Sequence, residues 1–127
     1  MPLTGHATVL VVRDVATAAA YYRDRLGFAV DRYEDDPDQY AACEREGCHI
    51  HLARADSGAP VHANHQSVAP DLFDAYLWPE DVDAMHAELA GRGATIIQGP
   101  IDQPYGLREF RVQDLDGHIL AFGRRLS

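Results

Sequence analysis

The same order of predicted elements occurs twice along the chain, and this internal repeat limits the folds that the chain can adopt. In the first half, a helical stretch begins at Asp14 and ends near Gly27, and in the second half another begins at Asp81 and ends near Gly93. The two separations, 13 and 12 positions, are nearly equal. A short apolar run precedes each helix, and a β-rich region follows it. We therefore predict an α+β protein in which one βαβββ unit is used twice.

Local signals give the bounds of these elements. Asp14 and Asp81 are typical N-caps, because a short carboxylate accepts the free amides of a first helical turn. Gly27 and Gly93 are typical of the left-handed residue that ends a helix. The opening strands are predicted at Val9–Val12 and Ala75–Trp78, and the later strands at 28–34, 38–46, 48–54, 94–98, 107–113 and 117–123, with a turn at Asp114–Gly117.

The repeat also predicts how the chain is organised. We expect a first module at about 1–55, a linker at about 56–70 that is rich in Gly, Ser, Asn and Pro, and a second module at about 71–127. Each half alone is too small for a good hydrophobic core. The two modules are therefore expected to form one domain over residues 1–127.

Composition narrows the classes of partner. The formal net charge of −9 argues against nucleic acid or an anionic membrane surface, and it is compatible with a cationic ligand. No apolar run approaches the ~20 residues that span a bilayer, and the N-terminal segment lacks a basic signal-peptide region. We expect a cytoplasmic protein. Cys43 and Cys48 are expected to be reduced thiols that form neither a disulfide framework nor a zinc site.

Three segments carry a resemblance to a known family. They are VLVVRDVATAAAYYRDRLGF at 9–28, AYLWPEDVDAMHAELAGRGA at 75–94 and QPYGLREFRVQDLDGHILAFG at 103–123. Together they resemble the glyoxalase/bleomycin-resistance/dioxygenase superfamily, also called the vicinal oxygen chelate fold, and are most similar to its bleomycin-resistance proteins. The resemblance implies two βαβββ modules whose curled mixed sheets surround a cavity, and it implies a homodimer.

The resemblance also locates the positions at which superfamily enzymes hold a divalent metal. Counted from the motifs, these positions fall on Ala7, His51, Asp74 and Ala121. The two alanines have no donor atom, so His51 and Asp74 are only weak candidates for metal ligands. We expect no catalytic residue and no cofactor. A divalent metal is expected only if His49, Glu109 or another donor completes the set.

The same positions define a predicted ligand-binding face. Alternation along the strands adds neighbouring side chains to it, and the resemblance adds residues near the third segment. The predicted ligand-binding residues are His49, His51, Asp74, Tyr76, Trp78, Tyr105, Arg108, Glu109 and Ala121.

Plainer roles stay open for most of these residues. Tyr76 and Trp78 could be core residues, and His49 and His51 could be ordinary half-buried polar residues on one strand face. Arg108 and Glu109 could form a structural ion pair. The remaining histidines of the turn and the linker are predicted to be exposed, namely His118, His62 and His65.

These observations lead to one functional hypothesis and two alternatives. The leading hypothesis is a non-catalytic protein that binds a cationic, aromatic antibiotic of the bleomycin type and confers resistance by sequestration. The first alternative is a metal-dependent enzyme of the glyoxalase or dioxygenase class. The second is a binding module for another metabolite, which no sequence feature separates from the leading hypothesis.

Overall fold

A computed structural model describes residues 1–127 and divides them into two compact units, Met1–Val61 and His62–Ser127. Each unit contains one α-helix and one open, four-stranded mixed sheet. The predicted α+β architecture of two βαβββ modules is confirmed. That the two modules form a single domain stays a prediction.

Unit 1 is formed by β1 Thr8–Val12, α1 Val15–Leu26, β2 Ala29–Arg32, β3 Tyr40–Arg45 and β4 Cys48–Arg54. The strand order in its sheet is β1-β4-β3-β2. Strands β1 and β4 are parallel, and the other neighbours are antiparallel.

Unit 2 repeats this arrangement with β5 Ala75–Leu77, α2 Val82–Gly91, β6 Thr95–Asp102, β7 Leu107–Gln113 and β8 Ile119–Arg125. Its strand order is β5-β8-β7-β6, again with one parallel pair, β5 and β8. A short 3-10 helix at Asn64–Gln66 lies before β5. Strand β6 continues to Asp102, beyond its predicted end at 98, and β8 begins and ends two residues later than predicted.

The helix ends have the predicted chemistry. The Asp14 carboxylate accepts the amide of Thr17 at 2.9 Å, and the Asp81 carboxylate accepts the amide of Ala84 at 3.0 Å. Gly27 and Gly93 have φ angles of 77° and 85°, a left-handed conformation that residues with a Cβ rarely adopt. Neither helix has the length and hydropathy needed to cross a membrane.

Each sheet buries one face against its helix and leaves the opposite face uncovered by a helix. In unit 1, α1 packs on β2, β3 and β4, and the buried side chains on this face of the sheet include Leu10, Val12, Ile50 and Leu52. In unit 2, the Phe110 and Phe122 rings stack with centroids 4.9 Å apart on the face that packs on α2. The opposite face of each sheet is called its open face below, and it displays most of the polar residues that sequence analysis selected.

Candidate functional site

The open face of unit 2 brings several of the predicted residues together. The register across the sheet pairs Tyr76 with Ala121, and Ala121 with Arg111. The next row pairs Gly123 with Glu109. Since directly paired residues project to the same face, these five residues share the open face.

Glu109 is the centre of this face. Its side chain is fully buried, and its carboxylate accepts hydrogen bonds from the Tyr76 hydroxyl at 2.7 Å, from the Tyr105 hydroxyl and from Arg111 Nη2 at 3.0 Å. Burial alone would raise the pKa of Glu109, but the hydrogen bonds from Tyr105, Tyr76 and Arg111 outweigh it and lower the pKa. Burial and the neighbouring carboxylate raise the pKa of both tyrosines. We call Glu109, Tyr76, Tyr105 and Arg111 the Glu109 cluster.

Arg111 neutralises this buried carboxylate and is itself held on several sides. Its Nη1 donates to the carbonyl of Asp71 at 2.5 Å, and its guanidinium lies 5.8 Å from the centre of the Phe73 ring. Only 12% of its side chain is exposed. Sequence analysis missed Arg111, although it lies two residues after Glu109 on one strand and therefore on the same face.

Gly123 makes room for the cluster. A Cβ at this position would overlap the Tyr76 hydroxyl and would lie 2.8 Å from Tyr76 Cζ and 3.0 Å from Glu109 Cβ. Tyr76 therefore reaches Glu109 by passing across a residue without a side chain. Glycine is needed at this position because Tyr76 packs closely against the backbone, and not because of a positive φ angle.

Two aromatic rings of unit 2 are exposed. Tyr105 belongs to the cluster and is 58% exposed while its hydroxyl is bonded to Glu109, and Trp78, two residues after Tyr76 and directly after β5, is 79% exposed. The indole of Trp78 is therefore free of core packing, so the interpretation of Trp78 as a core residue is wrong. Flat, exposed rings of this kind stack on planar or cationic groups.

Arg108 points away from the cluster. Its guanidinium pairs with Asp83 at 2.8 Å and with Asp102 at 2.9 Å, and these ion pairs raise its pKa. Glu109 instead pairs with Arg111. The alternative of an Arg108–Glu109 ion pair is therefore wrong, because adjacent residues of a strand project to opposite faces.

In unit 1, His49 and His51 lie on one open face, as their spacing predicted. The Tyr40 hydroxyl and His51 Nδ1 are 2.7 Å apart and hydrogen bonded, and the two rings meet edge to face at 5.4 Å. His49 is exposed and is paired in register with Glu44. His51 thus has a defined partner, whereas His49 faces solvent beside a carboxylate.

Sequence analysis also missed a groove of about 390 Å³ on unit 1. It lies between β2 and β3, where Tyr33 and Tyr40 contribute rings and Ala42 contributes a small side chain. Three carboxylates border it, Asp31, Glu34 and Asp35, together with one cation, Arg32, which pairs with Asp38 at 2.9 Å. The acidic run after β2 was the available signal, and the pairing of Asp31 with Ala42 shows that part of this charge reaches the open face.

Asp74 and His118 have structural environments. Both Asp74 oxygens accept backbone amides, from Asn64 and from Ile119, each at 2.9 Å. His118 is 2% exposed, and its Nδ1 lies 3.6 Å from Asp74 Oδ1. The prediction that His118 is exposed is wrong, because the residues around the turn bury its ring beside Asp74.

The linker histidines differ from each other. His62 is exposed, as predicted, and contacts the Ser67 hydroxyl. His65 is half-buried, and its Nε2 lies 3.1 Å from the carbonyl oxygen of Gly117. The prediction for His65 therefore fails in part, since the ring packs on the turn that follows β7.

The donor set does not fit the divalent metal that superfamily enzymes hold. Ala7 and Ala121 offer no ligand atom, Asp74 is occupied by two amides, and Arg111 places a positive charge beside Ala121. No group of three or more His, Cys, Asp or Glu side chains is arranged to hold a metal ion.

These features define a class of protein with two βαβββ units, each of which has an open sheet face lined by polar and aromatic side chains. The family model of the Glyoxalase/Bleomycin resistance protein/Dioxygenase superfamily matches residues 4–122, and the chain belongs to this superfamily. No curated protein matches the sequence.

Solved structures support the assignment. The bleomycin-binding protein from bleomycin-producing Streptomyces verticillus, in complex with copper(II)-bleomycin, is 28% identical, with 96% of each chain covered and a TM-score of 0.70. TioX from Micromonospora sp. ML1 is 25% identical, with 97% of this chain and 99% of that chain covered and a TM-score of 0.72. A glyoxalase-related enzyme from Clostridium phytofermentans shares the fold. It is 19% identical, with 99% of this chain and 98% of that chain covered and a TM-score of 0.74.

Proposed function

We propose that this protein binds a cationic, flat-ringed antibiotic of the bleomycin type without chemical change and confers resistance by sequestration. The observation that carries the proposal is the open face of unit 2. There, the buried Glu109 carboxylate is occupied by three donors and Tyr105 offers exposed aromatic surface, and the exposed Trp78 directly follows β5 of the same sheet. This face can bind a planar group, and its carboxylate is not free to act as a base or a nucleophile.

The charge of the protein supports a cationic ligand. The chain has a net charge of −9, and the tyrosine-containing groove of unit 1 is lined by three carboxylates and one arginine, Arg32, whose charge is paired with Asp38. A cation over a tyrosine ring gains from the ring's negative face, and a nearby carboxylate adds attraction. We propose that this groove favours a cationic ligand group.

The relatives support the ligand class. A bleomycin-binding protein shares 28% of its residues with this chain over nearly its whole length. We propose that this protein acts in the cytoplasm as a homodimer, in which a second copy helps to enclose the bound drug. Enclosure would keep the drug from its target without any reaction.

The proposal is tested by a fluorescence titration of the protein with metal-free bleomycin, because Trp78 is the single tryptophan. We expect saturable quenching at one drug per chain with a micromolar or lower Kd, which corresponds to about −8 kcal/mol or better. Kanamycin, which is cationic but has no flat aromatic ring, serves as the control and should not quench. An unchanged spectrum with roughly 100 μM bleomycin, a concentration well above that Kd, would reject the proposal.

A further inference from the structure

A second pocket of unit 1 lies at the edge of its sheet where β1 and β4 end. It has a volume of about 400 Å³ and shares no lining residue with the tyrosine-containing groove. Its walls are formed by Arg13, Gln39, Arg54 and the segment 55–59 that follows β4. Pockets of about 300–1,000 Å³ are typical of sites that bind small molecules. The proposed function does not use this pocket.

The strand register brings the polar groups of the pocket together. Arg54 is the last residue of β4 and is paired with Val12, the last residue of the parallel strand β1, so Arg13 follows at the same edge. Gln39 directly precedes β3, and its carbonyl accepts the Arg54 amide at 2.9 Å. The Ala55 amide donates to the Val12 carbonyl, also at 2.9 Å. Three paired strands therefore position the pocket.

Arg54 brings a charge that no ion pair balances. Its Nη2 donates to Oε1 of Gln39 at 2.9 Å, which is a neutral acceptor, and it forms no ion pair with a carboxylate of the chain. Because a guanidinium only donates, this bond requires the Gln39 oxygen to face Arg54 and leaves Nε2 of Gln39 as a further donor. Arg13 and Arg54 are both exposed, so a ligand in the pocket can reach their N–H groups.

The charges that line the pocket favour a monoanion. They are the guanidinium groups of Arg13 and Arg54 and the carboxylate of Asp56, which together give a charge of +1. A carboxylate ligand balances this charge, and its two oxygens match the planar fork of a guanidinium. A phosphate monoester carries about −1.5 to −2 at pH 7. It would leave excess negative charge on a chain whose net charge is already −9.

We propose that this pocket binds the carboxylate of a small organic acid, with Arg13 and Arg54 as cationic donors and the Gln39 amide as a neutral donor. Ala55 and Ala59 offer non-polar surface to the carbon chain of the acid. The pocket is separate from the open face of unit 2 that carries the proposed function. The inference therefore goes beyond that function and does not rest on it.

An NMR titration of the nitrogen-15-labelled protein with sodium acetate tests the pocket. It is done at slightly acidic pH, with sodium chloride added to keep the ionic strength constant. The Arg54 Nε–H resonance and the backbone amides of Ser57 and Gly58 are followed, because these residues line the pocket. We expect saturable shifts with a Kd of about 10 mM or lower for this small ligand. Sulfate, a dianion, should bind about threefold more weakly or worse.

Four variants assign the shifts to the proposed donors. Arg54→Met and Arg13→Met each remove one cationic donor and should weaken acetate about tenfold. Arg23→Met is the matched control, because Arg23 is an exposed arginine of α1 that pairs with Asp24, and it should leave the affinity within about twofold. Asp56→Asn removes the opposing charge and should strengthen acetate binding and remove its advantage over sulfate. A gain in affinity cannot result from misfolding.

The outcomes distinguish this inference from the proposed function, since no antibiotic is present in the titration. The absence of saturable shifts with acetate up to roughly 100 mM overturns the inference. Shifts that persist unchanged in both Arg13→Met and Arg54→Met also overturn it. Tighter binding of sulfate than of acetate by the parent protein overturns the assignment to a carboxylate. If one arginine variant does not fold, the other arginine variant and Asp56→Asn decide the result.

Discussion

Replacing Glu109 by Gln removes the negative charge at the centre of the Glu109 cluster while keeping the side-chain shape. The carboxylate is fully buried, and Arg111, which is 12% exposed, would lose its counter-charge. Removing one partner of a buried pair costs about 3–5 kcal/mol. The amide retains one acceptor oxygen, and Arg111 keeps its bond to the Asp71 carbonyl, so we expect the lower end, about 3 kcal/mol. That is a large share of the ~5–15 kcal/mol that stabilises a typical domain.

Urea unfolding followed by circular dichroism measures this loss as a change in the free energy of unfolding. Asp102→Asn is the control, because Asp102 pairs with Arg108 at the surface with 58% of its side chain exposed. Exposed pairs contribute about 0–1 kcal/mol, so this variant should change stability little. If Glu109→Gln loses no more free energy than Asp102→Asn, the account of the buried cluster is wrong.

The pH dependence of the same variant checks the sign of the charge effect. The pKa of Glu109 is lower in the folded protein than its ordinary value of 4.5, so its ionisation stabilises the fold above that pH. The contribution is lost as the pH falls through the folded pKa. The stability difference between the parent and Glu109→Gln should therefore shrink below about pH 4.5. A difference that stays constant or grows on acidification would contradict the assignment.

Three further substitutions or labels test other parts of the structure. Gly123→Ala should lower the free energy of unfolding, measured in urea, by about 1–3 kcal/mol, because the new Cβ displaces Tyr76. Gly99→Ala is the control and should lower it much less, because a Cβ at Gly99 meets open space. Equal losses in the two variants would contradict the packing argument. Trp78→Ala should weaken the affinity for bleomycin about tenfold, measured by calorimetry. The melting temperature should not fall, because the Trp78 ring is 79% exposed. An unchanged affinity would show that Trp78 is not part of the binding site. Burial raises the pKa of the Cys43 thiol to about 11, whereas Cys48 is exposed. At pH 8 a thiol reagent should therefore label Cys48 alone. Labelling of a Cys48→Ser variant would contradict the burial of Cys43.

Sequence patterns predicted the fold because they report local physics. The caps at Asp14 and Asp81 and the glycines at the helix ends act within one turn, so the repeat could be read without tertiary information. The open faces followed from alternation wherever the strands are regular, as for His49 and His51.

The errors arose where distant segments decide the environment. His118 follows a turn glycine and was predicted to be exposed, but Asp74 and the neighbouring residues bury it. An ion pair between Arg108 and Glu109 was one open alternative, but period-two alternation favours Arg111, with which Glu109 pairs. The partners of polar groups on the open faces thus depend on which strands pair and in which register. The sequence alone predicts this pairing only in part.

The most direct test of sequestration is a count of how many bleomycin molecules each protein chain neutralises. Plasmid DNA is exposed to iron-activated bleomycin with increasing amounts of the protein, and the drug is then recovered from denatured protein and analysed by mass spectrometry. The account predicts protection that becomes complete at one chain per drug, with the drug recovered unchanged. Protection at far less than one chain per drug with a modified drug would show catalysis, and no protection at a molar excess of protein would show that bleomycin is not sequestered.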